Sequence, residues 1–164
     1  MTELIEHKID RRGWAPGPWD GEPDKVQWNH AGLACLAVRN RMGAWCGYVG
    51  VPCEHPAYGQ DYESVDVSVH GGLTYADNCG GAICHVAEPG FPEEVWWLGF
   101  DTAHAGDLAP SSSADYARGL YPALSSYEVY RDLDYTKAET NRLAEQLAVS
   151  RHAPTGNTQA ADPK

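Results

Sequence analysis

Val65, Val67 and Val69 alternate with Asp66, Ser68 and His70 in the stretch SVDVSVHGGLTYA. A period of two puts the valines on one face and the polar residues on the other, which predicts a half-buried strand. The strand ends at Gly71 and Gly72, a pair that permits a bulge or a close approach of backbone to a ligand. Two other short apolar runs, GLACLAVRN and GAWCGYVGV, are separated by Arg41 and Met42. They predict a β-hairpin over about 32–39 and 44–51. EVWWLGF is apolar from Val95 onwards and predicts a central strand, because only a strand covered on both faces dispenses with alternation. AICHVAE is a further short strand candidate.

Towards the C-terminus the period changes. In DLDYTKAETNRLAEQLAVS, Thr136, Thr140, Leu143 and Leu147 recur at helical spacing and predict one long helix with a packing stripe. Asp134 is the expected N-cap. Glu139 and Arg142 are neighbours on the outer side of the helix. Residues 13–31 read as an ordered wrap, since Pro16, Pro18 and Pro23 prevent a regular helix and Trp14, Trp19 and Trp28 can pin it down. Residues 53–64 and 108–127 read as loops, the second with one helical turn. The end, 150–164, has the composition of a disordered tail. Strands followed by a helix predict a single α+β domain over 1–149, a mostly antiparallel sheet with the long C-terminal helix packed on it.

Charge narrows the partners. Twelve Lys and Arg against 23 Asp and Glu leave a net charge of −11. Such a surface repels phosphate backbones and anionic lipid, so nucleic acid is not an expected partner. No apolar stretch reaches the roughly 20 residues that cross a bilayer, and no apolar core follows a basic leader. No membrane partner and a cytoplasmic location follow as expectations. Five cysteines, an odd number without a secretion signal, imply free thiols, and C-x4-C and C-x6-C spacings do not match zinc knuckles.

P-loop, dinucleotide-fold, zincin and nucleophile-elbow motifs are absent. The remaining chemistry sits at two strand ends. One carries His70 with Gly71, Gly72 and Thr74; the other carries Asp101, His104 and Asp107 in WWLGFDTAHAGD. Two histidines and a carboxylate suit a divalent metal, zinc or manganese, and leave positions open for water. His70, Asp101 and His104 are the expected ligands. Asp107 is the expected base for a metal-bound water, and Gly71, Gly72, Thr74 and Trp97 are expected to contact substrate. A second arrangement makes Cys46 a nucleophile with His70 and Asp66 or Asp101, without the helix N-terminus that usually activates such a thiol. A third has no chemistry: Trp14, Trp19, Trp28, Trp96 and Trp97 line a pocket with His70. Each residue also has a plain structural reading: Asp101 as a cap, His104 and His70 as satisfied polar groups, His55 as a turn residue, Cys46 as core.

GPWDGEPDKVQW, GAWCGYVGV, HPAYG, VHGGLTYA, WWLGFDTAHAGD and YRDLDYTKAETNRLAEQLA together resemble a family of small uncharacterised bacteriophage and bacterial proteins, over about residues 13–149. VHGGLTY and WWxGFDxAHxGD are the shared motifs. The resemblance implies a phage or bacterial origin and a cytoplasmic setting, the host cytoplasm for a phage-encoded chain. It carries over no catalytic residue. Similar proteins have cysteine where this chain has Thr102, which argues against a thiol role beside Asp101. The function expected from these readings is metal-dependent hydrolysis of a small, nucleotide-like substrate. The alternative is a non-enzymatic protein that sequesters a small-molecule signal or blocks a host protein.

Overall fold

The computed structural model describes residues 7–114 and 128–152. Among the described residues five strands, β1 (Lys25–His30), β2 (Leu33–Arg39), β3 (Trp45–Val51), β4 (Tyr75–Asp77) and β5 (Trp96–Asp101), precede one long helix, α1 (Leu133–His152). The strands form one sheet in the order β1-β2-β3-β5-β4, every pair antiparallel. This is the α+β architecture that the sequence predicts. The 32–39 and 44–51 hairpin is present as β2 and β3. EVWWLGF is the interior strand β5, bonded to β3 on one side and β4 on the other.

The wrap contains a strand that its Gly and Pro content hides. Residues 25–30 form edge strand β1, joined to β2 through Ala31 and Gly32, both at positive φ, in a two-residue turn. Alternation along β1 serves both faces of the sheet. Trp28 and His30 bond Asn141 and Glu145 of α1. On the other face Lys25, Gln27 and Asn29 bond Cys84, Val86 and Glu88.

Two cores follow. Leu33, Cys35, Val49, Val51, Leu98 and Phe100 meet Leu143, Ala144 and Leu147 of α1. Leu36, Val38, Tyr48, Val95 and Trp97 form the second, covered by Ala82 and Ile83. The helical stripe is as expected, with Thr136, Thr140, Leu143 and Leu147 fully buried. The two threonine hydroxyls donate to carbonyls one turn back, which satisfies them inside the core. Gly47 is required beneath this face, because a side chain there would strike Thr140 and Phe100.

Several expectations need correction. The Val65–Val69 stretch is not a strand, and only Tyr75–Asp77 of that region joins the sheet. Its valines do pack inward, but its backbone bonds go to α1: Ser68 exchanges two bonds with Gln146, and the His70 N–H donates to Glu139. Glu139 is therefore buried rather than on the outer side, although it keeps its bond to Arg142. Residues 82–88 likewise form no strand of the sheet. The N-cap of α1 is Asp132, not Asp134: its carboxylate accepts the Tyr135 N–H at 2.8 Å, while Glu22 accepts the Leu133 N–H at 2.6 Å. Cys79 and Cys84 form a disulfide, so three thiols are free: buried Cys35 and Cys46, and exposed Cys53. Helix α1 extends to His152, so residues 150–152 are helical; the rest of the expected tail, and residues 115–127 of the expected loop, lie outside the described residues.

Buried Arg39 closes the wrap. It donates to the carbonyls of Pro23 and Gly43, pairs with Glu22 at 3.2 Å and lies 4.3 Å above the Trp45 ring. Glu22 also accepts from Tyr130 and caps α1, so this network fixes the entry of the helix and the nearby Arg131 and Tyr135.

Candidate functional site

The chain leaves β5 at Asp101, which lies directly across from Cys46 on β3. One Asp101 oxygen accepts the Thr74 hydroxyl at 2.9 Å, and the other accepts the Ala103 N–H at 3.0 Å. That local bond turns the chain and brings His104 back over the strand end. The His104 Nε2 stands 3.2 Å from Asp101 Oδ1, but it is off hydrogen-bond alignment and has no other partner. The pair therefore meets at i and i+3 in a turn rather than in a helix. Gly71, at φ 66°, lies directly beneath the His104 ring, where any side chain would collide with it.

Gly106, at φ 94°, then reverses the chain and returns Asp107 to the cluster. Asp107 is buried and fully engaged. It accepts from His70 Nε2 at 2.7 Å, from the His104 N–H at 3.1 Å and from Arg131 Nε at 3.1 Å. Burial opposes its ionisation, yet these three donors outweigh burial and hold its carboxyl below the ordinary aspartate range. Since the carboxylate can only accept, His70 donates to it from Nε2, and its Nδ1 bonds the Tyr135 hydroxyl at 2.7 Å. Arg131 lies 4.8 Å above the Tyr135 ring.

The expected residues thus divide into two adjoining groups, with the His70 and His104 rings 5.9 Å apart. Asp101, His104 and Thr74 face an open cleft of about 510 Å³, which Asn40, Cys46, Tyr48 and Tyr75 also line. His70 and Asp107 belong to the seam between the 65–72 segment and α1. Among the described residues, no group of three or more His, Cys, Asp or Glu is arranged to hold a metal ion. Both His70 ring nitrogens are already bonded.

Tyr48 and Cys46 form the floor of the cleft. Tyr48 lies over Gly99, and its ring meets Tyr75 edge-on at 5.3 Å. Burial pushes the Cys46 thiol up to about 12, with Asp101 adding to the rise, and burial likewise raises Tyr48 and Tyr75. All three are neutral at physiological pH. A Cys46 nucleophile does not fit: the thiol is buried and protonated, and His70 is committed to Asp107 and Tyr135.

Trp97 is fully buried in the second core with its ring 5.1 Å from His85, so it does not face the cleft. Nor do the tryptophans gather into one pocket. Trp14 packs on Trp19, Trp28 bonds Asn141, and Trp96 donates to the Gln60 carbonyl. Gly72 makes the turn back to the Val69 carbonyl without touching the cluster. His55 is buried: its Nδ1 accepts the Ala57 N–H within a turn, as its structural reading expects, and its Nε2 bonds the Leu147 carbonyl of α1. Sequence reasoning missed Tyr48, Tyr75, Tyr135 and Arg131. Tyr48 had a signal, because it alternates with Cys46 on one face of β3; Tyr135 and Arg131 had none. A second cleft of about 640 Å³, walled by Phe91, Pro92 and Val95, contains none of the expected residues.

No helix of the described residues is long and apolar enough to cross a membrane. Comparison with protein-family models, curated proteins and solved structures returns no match.

Proposed function

We propose that the Tyr48–Tyr75–Asp101–His104 cleft binds a small molecule and hydrolyses it, with Asp101 and His104 as the acid–base pair. One observation carries this reading. These two ionisable side chains meet at 3.2 Å, and each remains about a third exposed, 27% and 34%, on a cleft whose floor is neutral. Asp101 is oriented by Thr74 and Ala103, so it can orient His104 in turn. His104 Nε2 is enclosed beside Asp101, so the other ring nitrogen, Nδ1, removes a proton from water as the water attacks the substrate and returns it to the leaving group. A divalent metal, zinc or manganese, would bind Asp101 and His104. Its third ligand, His70, would first have to release Asp107.

Turnover by the chelated protein, and by protein supplied with zinc or manganese, tests this on small esters, amides and phosphoesters. General-base catalysis contributes on the order of 100-fold or more, so His104→Ala and Asp101→Asn should each lose that much activity without a comparable loss of stability. Full activity in His104→Ala overturns the proposal. A requirement for added metal, lost in His70→Ala, selects the metal-dependent form. The misalignment of His104 with Asp101 favours a second reading, in which the cleft only sequesters its ligand. Tight binding with no turnover selects that reading.

A further inference from the structure

We infer that the ligand of this cleft is a small cation, an ammonium or amidinium group attached to a compact apolar body, seated between the Asp101 carboxylate and the tyrosine wall. The inference deepens the proposed function by naming the class of molecule bound there. Asp101 supplies the fixed charge. Two bonds, from Thr74 and Ala103, hold the carboxylate in place, and a carboxylate offers about four lone-pair positions, so acceptor capacity remains for a ligand N–H. The wall is aromatic and uncharged. Tyr48 and Tyr75 meet edge-to-face, and electron-rich ring faces attract cations.

The cleft is also poor in competing positive charge. Among its described lining residues there is no Lys or Arg, and His104 is the only side chain there able to become cationic. Arg131 is turned away towards Asp107 and Tyr135. The field of Asp101 reaches the floor, where it disfavours ionisation of both Cys46 and Tyr48. A phosphate placed here would meet the same field and no fixed cation, so a nucleotide-like substrate does not suit the site. At a distance, the net charge of −11 draws cations towards the molecule.

Three probes that share a phenyl ring separate charge from apolar fit: benzylamine, benzyl alcohol and benzoate, titrated by NMR into the intact protein. Benzylamine should bind at least about 10-fold more tightly than benzyl alcohol, a difference of about 1.4 kcal/mol, with benzoate weakest. Resonances of Tyr48, Tyr75 and Thr74 should shift. Asp101→Asn should abolish the preference. Asp61→Asn, the same charge change on an exposed loop outside the cleft, should preserve it. Benzoate binding as tightly as benzylamine, a preference that survives Asp101→Asn, or no binding of any probe at the cleft overturns the inference. Turnover plays no part in this readout. A protein that takes up benzylamine and hydrolyses nothing fails the hydrolase reading and keeps this one; a hydrolase indifferent to probe charge does the reverse.

Discussion

Gly71 and Gly72 are adjacent, both have positive φ, 66° and 80°, and they differ in one respect. An added methyl group at Gly72 meets nothing within 4 Å, whereas at Gly71 it would stand 2.9 Å from His104 Cε1 and closer still to Nε2 and Cδ2. Alanine at either position bears the left-handed backbone penalty, about 1–2 kcal/mol. Gly71→Ala must also displace an imidazole. The His104 backbone cannot yield easily, because its N–H donates to Asp107 and its carbonyl accepts the Asp107 N–H. The side chain yields instead, since it is about a third exposed and its Nε2 has no hydrogen bond to lose. An off-rotamer swing costs roughly 0.5–1.5 kcal/mol. Gly72→Ala should therefore lose about 1–2 kcal/mol and Gly71→Ala about 1.5–3.5 kcal/mol. At about 2–4 °C per kcal/mol for a domain of this size, the melting temperatures overlap. The imidazole separates the two variants. NMR of the ring nitrogens should show His104 displaced in Gly71→Ala and unmoved in Gly72→Ala, with activity falling only in the former. Equal His104 shifts in both variants, or none in Gly71→Ala, would refute the proposed packing.

Three further outcomes follow from burial and ionisation. Leu143→Ala should lose about 2–5 kcal/mol in chemical denaturation, because Leu143 is fully enclosed between α1 and the sheet; a loss below 1 kcal/mol would show that the helix is not seated as described. A thiol reagent at pH 8 should label Cys53 rapidly, while Cys35 and Cys46, each raised to about 12 by burial, react only after unfolding; rapid labelling of Cys46 would mean an open floor to the cleft. Asp107 has a depressed pKa in the folded state, so its stabilising effect is complete above the unfolded value of about 3.9 and is lost as pH falls through the folded value. Stability measured against pH should therefore fall less steeply below about pH 4 in Asp107→Asn than in the native protein, and superimposable acid limbs would contradict the His70–Asp107–Arg131 network.

Local pattern in the sequence determined much of this protein. Apolar runs in GLACLAVRN, GAWCGYVGV and EVWWLGF specify three strands, because continuous burial leaves no other reading at that length. The Thr136–Leu147 stripe specifies the helix face that packs. Gly106 lies between His104 and Asp107, where a reversal that returns Asp107 favours positive φ. Tertiary structure decided the rest. Alternation at Val65–Val69 reports an extended chain over an apolar surface, but it cannot say whether a strand or the side chains of Glu139 and Gln146 take the backbone bonds. Likewise Lys25, Gln27 and Asn29 make an edge strand of the wrap by gripping a segment 59 residues away, a pairing that no local window contains. The candidate site divides for the same reason. His70, Asp101, His104 and Asp107 were legible as a polar cluster, but the division into a solvent-facing pair and a buried seam depends on Tyr135 and Arg131, which reach His70 and Asp107 only because Glu22, Asp132 and Arg39 fix where the helix begins. Spacing along a chain can nominate the side chains; only the packing of distant elements decides which of their atoms remain free to meet a ligand.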